Sequence, residues 1–207
     1  MEPIVSDTVH LTVYVEVGKP QILQGEEVEV VEGREEVLQC MAEGRPIPEL
    51  EWRDVDDNLF PAKEYSRSMQ LPGTQIFRTI SVIKIVASKK NNNQRISCNA
   101  NNSDGKHSKS SQTILKLLYK PEVKVRQGSS EGENPGDTTQ FNCFSKSYPR
   151  VTDVEWYVNG EKLPGETQDI LLLKAVHMDM SGTIVKCVVK NIIGSGEDQI
   201  KIQLKCK

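Results

Sequence analysis

The side chains able to do chemistry in this chain are five cysteines, three histidines and a small cluster of carboxylates. Cys40 and Cys98 stand either side of Trp52, and Cys143 and Cys187 either side of Trp156, so one Cys–Trp–Cys pattern occurs twice. Thiols brought together can oxidise to a disulfide, and thiols combined with imidazoles or carboxylates can hold zinc. No His/Cys/Asp set here has metal-ligand spacing, and His10, His107 and His177 are each isolated. Asp54, Asp56 and Asp57 lack the twelve-residue loop and closing Glu of a calcium-binding EF-hand, and read as a solvated turn. No glycine-rich loop precedes a helical pattern, and no Gly-x-Ser-x-Gly elbow occurs. The expectation is therefore no catalytic residue, no metal, no cofactor and no enzyme.

The elements that must position the cysteines are strands. Leu38, Cys40 and Ala42 alternate with Gln39 and Met41, and Phe141, Cys143 and Ser145 alternate in the same way. Leu50-Glu-Trp52 and Val154-Glu-Trp156 follow, then Ser81–Ile85 and Ile170–Leu173, then Ile96–Ala100 and Val185–Val189. Asn102 and Asn191 each lie four residues past the closing cysteine, and Gly105 and Gly194 seven residues past it. Helical periodicity is weak, and Gly, Pro, Asn and Ser clusters punctuate the strands, so the fold class is all-β. The repeat means two copies of one plan.

In each copy an inward position of an early strand and of a late strand carries a cysteine. Oxidised, such a pair would staple two facing sheets. Four cysteines permit three pairings, and position in the repeat selects Cys40–Cys98 and Cys143–Cys187. Closing loops of this size would contribute roughly 4 kcal/mol in the chain-entropy picture. Trp52 and Trp156 would pack beside the bridges, where an indole supplies a large apolar area. Buried free thiols are the alternative.

A length of 207 residues suits two domains of about 100 residues. Val17-Gly-Lys-Pro20 and Leu118-Tyr-Lys-Pro121 read as matching junctions, giving an N-terminal strand at 1–18, a domain at 19–119 and a second at 120–207. The second junction leaves almost no spacer, which argues for a stiff joint. Val9, Leu11, Val13 and Val15 alternate as the remnant strand of a preceding domain, or as a strand laid on the first domain's edge. Residues 1–119 hold 14 basic and 17 acidic side chains and residues 120–207 hold 12 of each, so neither half suggests nucleic acid as a partner. No apolar run is long enough to span a bilayer and the start lacks a signal-peptide layout, so an extracellular role implies a piece of a longer protein.

These residues resemble the immunoglobulin superfamily. Ala42-Glu-Gly-Arg-Pro-Ile-Pro-Glu-Leu-Glu-Trp52 is similar to the stretch joining strands B and C of I-set domains. The resemblance covers about nine tenths of the chain and implies two tandem immunoglobulin-like β-sandwiches, each with one intersheet disulfide, of I-set or C2-like type. It also implies that Asn102, Gly105, Asn191 and Gly194 belong to F–G hairpins, with both glycines supplying positive φ. The family's corner tyrosine, two residues before the closing cysteine, is replaced by Ile96 and Val185, and the run Ser181–Cys187 is one residue longer than usual. That places the E–F corner geometry in question. The tyrosine-less strand and the Lys-Pro junction are similar to nectin-like and kirrel/nephrin adhesion molecules.

For such relatives the resemblance implies an extracellular adhesion or recognition receptor on a membrane-anchored parent, bound to protein partners, homophilic or heterophilic, with this segment as stalk. A titin-like intracellular structural module and an ectodomain for a soluble ligand are the competing readings. Asn101-Asn102-Ser103 is a glycosylation sequon. Cys206 is the odd cysteine, with a missing segment or a free thiol preferred over a dimer bridge.

Overall fold

The computed structural model describes residues 13–60, 63–102, 108–128 and 136–204. His10, Gly105, His107 and Cys206 lie outside them. Two compact units divide between Leu117 and Leu118.

The first unit begins with β1 (Gln21–Ile22), β2 (Glu27–Val31), β3 (Glu35–Gly44) and β4 (Glu49–Arg53). It continues with β5 (Lys63–Gln70), β6 (Phe77–Val86), β7 (Arg95–Asn101) and the opening part of β8 (Ser108–Gln127). One sheet runs β1-β3-β6-β5; the other runs β4-β7-β8, with β2 also pairing to β8. Period-2 alternation decides which face is buried. In β3, Leu38, Cys40 and Ala42 point inward, and in β7 Ile96, Cys98 and Ala100 do the same.

The second unit holds the rest of β8, then β9 (Thr139–Tyr148), β10 (Asp153–Val158), β11 (Glu161–Lys162), β12 (Ile170–Leu173), β13 (Ile184–Asn191) and β14 (Gly194–Lys201). Its sheets run β8-β9-β12 and β11-β10-β13-β14. Phe141, Trp156, Leu171, Val185 and Ile202 are almost completely buried between them. Truncating a core residue the size of Trp156 costs roughly 3–5 kcal/mol.

Each sandwich is closed by a disulfide, Cys40–Cys98 with 6.5 Å between Cα atoms and Cys143–Cys187 with 6.3 Å. Trp52 is the register partner of Cys98, and Trp156 of Cys187, so the indole and the bridge lie on adjacent strands of one sheet.

The corner in question is built alike in both units. A 3₁₀ turn, Lys89–Asn91 or Met178–Met180, leads to a left-handed residue, Asn93 (φ 60°) or Gly182 (φ 84°). Each stands five residues before the closing cysteine, so the second copy carries no extra residue relative to the first. The Asn93 amide donates to the Leu115 carbonyl (2.8 Å), and the Gly182 amide to the Ile202 carbonyl (3.0 Å). Both corners are thus tied by a main-chain bond, in the first unit to Leu115 of β8 and in the second to Ile202, just past β14.

Candidate interaction faces

The paired cysteines and the tryptophans face inward and offer a partner nothing. The Trp52 indole N–H donates to Ser81 Oγ at 3.2 Å, and the Trp156 indole N–H to the Gln168 carbonyl at 2.8 Å. Both bonds satisfy a buried donor that the sequence pattern alone left without a partner.

The asparagines four residues past the closing cysteines act as clamps. Asn102 is almost fully buried; its Oδ1 accepts the Val17 amide proton at 2.7 Å, and its Nδ2 donates to the Val15 carbonyl at 3.3 Å. The adjoining chain pairs with the end of β3, with Val15 and Arg45 exchanging both backbone bonds and the Gly18 amide donating to Glu43. In the second unit Asn191 Nδ2 donates to the carbonyls of Tyr119 (2.9 Å) and Pro149 (3.1 Å), while its Oδ1 accepts the amides of Ile193 and Gly194. Each asparagine thus pins the chain leading into its own unit's first strand.

Gly194 has a positive φ, 159°, which L side chains rarely adopt, although a Cβ there would meet only Lys120 Cβ at 3.7 Å. A second, steric demand for glycine falls two residues later, at a position the sequence motif did not mark. A Cβ on Gly196 would land on the Pro121 carbonyl.

Two outward faces carry most of the polar chemistry. In the first unit the outer side of β4, β7 and β8 presents Glu49, Glu51, Ser97, Asn99, Ser110 and Gln112. Arg53 pairs with Glu51 at 2.9 Å on this side, and the hydrogen bond its guanidinium donates to that carboxylate raises its pKa. Asn101 ends β7, half-buried and on the same outward side, between Glu49 and Ser108. The neighbouring Asp54 carboxylate accepts the Asn58 and Asp56 amides at 2.9 Å each, and the Asn58 bond is the main cause holding its pKa low. Its oxygens therefore serve the turn.

In the second unit the outer side of β10, β13 and β14 centres on Glu155. Lys162 and Lys190 each bring Nζ to 2.8 Å of its Oε1, and the Tyr157 hydroxyl donates to Oε2 at 3.0 Å. The Lys162 hydrogen bond, then those of Lys190 and Tyr157, hold the carboxyl down to about 2. Lys186 lies 4.8 Å above the Tyr157 ring and pairs with Glu197 at 3.3 Å. This face is charged but already satisfied by its own residues. At the edge of the same sandwich Asp198 accepts the Val125 amide at 2.8 Å and pairs with Lys124 at 3.4 Å, joining β14 to β8. Burial opposes its ionisation, but these bonds outweigh it and leave its pKa lowered.

Two sheets facing each other, a disulfide through each core and a tryptophan beside each disulfide point one way, and residues 19–109 match the CD80-like C2-set immunoglobulin domain family. The chain carries an immunoglobulin domain of this family over residues 19–109. It is 26% identical over 211 residues to the irregular chiasm C-roughest protein of Drosophila melanogaster, covering 91% of this chain and 28% of that protein. It is 27% identical over 166 residues to human neural cell adhesion molecule 1, covering 76% of this chain and 18% of that one. The crystal structure of the mouse nectin-like molecule 4 ectodomain superposes with a TM-score of 0.69 at 21% identity, over 92% of this chain and 65% of that one, which shows the shared fold. The chain spans less than a third of the length of these curated relatives. In immunoglobulin terms β4, β7 and β8 of the first unit are strands C, F and G, as are β10, β13 and β14 of the second; Asn191 ends its strand F and Asn102 lies one residue past its own.

Proposed function

We propose that this chain is a segment of an extracellular adhesion or recognition receptor that binds other proteins, acting as a spacer within a membrane-anchored parent. The observation that carries the reading is the disulfide through each immunoglobulin core, a bond that persists in oxidising compartments and is rare in the cytosol. Similarity over 76% of the chain to human neural cell adhesion molecule 1 supports the adhesion role. The spacer role draws on the second unit's C–F–G face, whose charges are matched internally, leaving little to offer a partner. Asn101 fits a glycan acceptor, being outward and half-exposed at the end of strand F.

The test is secretion of the whole chain from mammalian cells behind a signal sequence, followed by thiol counting in denaturant without reductant. One free thiol per chain supports the reading; five would overturn it in favour of a cytosolic module. Surface-plasmon measurements against a panel of immunoglobulin-superfamily ectodomains then read recognition directly. A spacer binds none of them tightly by itself, and a nanomolar partner would move the recognition surface into this segment.

A further inference from the structure

The outer edge of β12 is exposed and wholly apolar, unlike the other sheet edges among the described residues apart from the two-residue β1, which is uncharged but begins with Gln21 and buries Ile22. Its sequence is Ile-Leu-Leu-Leu, whereas the edge strands β4, β5, β11 and β14 carry Glu49 and Arg53, Arg67, Glu161, and Glu197 and Lys201 respectively. Free edges are ordinarily blunted with charge, proline or a bulge, because bare ones recruit further strands.

The pleat fixes what this edge offers. The Cys143 amide donates to the Asp169 carbonyl at 2.7 Å, so the main-chain groups of Asp169, Leu171 and Leu173 face β9. Those of Ile170 and Leu172 face the other way, where no strand of the described residues pairs with them. Their side chains are outward as well, 44% and 51% exposed, while Leu171 between them is buried. Within their own sheet they sit opposite Asn142 and Gln140, two amides bonded to each other at 2.8 Å, so they have little apolar cover. Phe144, 55% exposed with the Arg126 guanidinium 5.7 Å from its ring centroid, extends the apolar surface one strand inward.

We propose that β12 pairs antiparallel with β12 of a second copy, about a two-fold axis at Leu171. In that register Ile170 of each copy lies opposite Leu172 of the other, and each such pair exchanges both main-chain bonds, four in all. The side chains then cover each other at a cross-strand separation of roughly 5.5 Å. Antiparallel pairing sets the Asp169 end of one strand beside the Lys174 end of the other, and places no two like charges directly opposite. A parallel pairing would turn the outer face of one copy to the inner face of the other, so it is excluded. The two-fold closes on itself and yields a dimer with one continuous sheet. This association is independent of any recognition by the first unit.

The experiment is hydrogen exchange and sedimentation velocity on the whole chain with Cys206 alkylated, so that no disulfide dimer contributes. In the monomer the Ile170 and Leu172 amides exchange fast; at roughly 500 μM they are expected to slow about threefold or more relative to 10 μM, while Leu171 is unchanged. Leu172→Lys, which alters only an exposed side chain, is expected to weaken the dimer about tenfold or more. Leu172→Pro, which removes an outward N–H, is expected to abolish it. Exchange at Ile170 and Leu172 that is the same at both concentrations would overturn the proposal, as would a dimer that Leu172→Lys leaves intact.

Discussion

Asn102 and Val17 stand 85 residues apart in sequence and are joined by a buried 2.7 Å hydrogen bond from the Val17 amide to Oδ1. That contact makes the asparagine a structural clamp as well as part of a hairpin signature, and it can be separated from the glycosylation role of its neighbour. Asn102→Ala keeps the Asn-x-Ser pattern at Asn101 while stranding a buried amide. It should cost about 1–3 kcal/mol in denaturant unfolding. Asn101→Gln should leave stability unchanged within about 0.5 kcal/mol and remove any glycosidase-sensitive mass of the secreted chain.

Gly194 and Gly196 should both resist alanine, for different reasons. Gly194→Ala has room for its methyl but strains a positive φ, whereas Gly196→Ala drives a methyl into the Pro121 carbonyl. Each should lose about 1–3 kcal/mol, read by thermal unfolding of the two variants side by side.

Glu155 makes part of the stability pH-dependent. Its carboxyl is held at about 2 in the folded protein against an ordinary value of 4.5. A depressed folded pKa stabilises above the unfolded value, and the contribution is lost as pH falls from about 4.5 towards 2. Glu155→Gln should therefore lower the melting temperature at pH 7, with the gap from the parent narrowing by pH 2.5. A gap that is constant across that range would show that the carboxyl titrates alike in both states.

The disulfides set stability terms comparable to those of the largest core side chains. Replacing Cys143 and Cys187 together by alanine should cost about 4 kcal/mol, less whatever relaxation the core allows. Loss of the second unit's cooperative transition in calorimetry is the expected result.

The core was legible because cysteine, tryptophan and period-2 alternation each state which way a side chain points. Cys40, Trp52 and Leu38 could be set inward from their spacing alone. What a residue touches across the fold is not written in its spacing. Asn102 and Asn191 showed in the sequence as a repeated motif, but their bonds run to Val17 and Tyr119, which only tertiary packing brings near. The main-chain bonds that Asn93 and Gly182 make at the corners were not legible, because they require no particular side chain. Gly196 escaped notice since its constraint comes from the backbone at Pro121. The Ile170–Leu173 run was recognisable as a strand, but its edge position depended on the strand order of the sheet.

The clamp at Asn102 also defines a load path. A pull applied to the chain at Val15 passes through Asn102 into β7, reaches the Cys98–Cys40 bridge four residues away, and crosses to β3. Arg45, the residue after β3, also holds Val15 directly, so tension meets two parallel anchors and then a covalent bond. In a protein worked by forces between surfaces, the first unit could be tugged at its leading end while its hydrophobic interior stays shut.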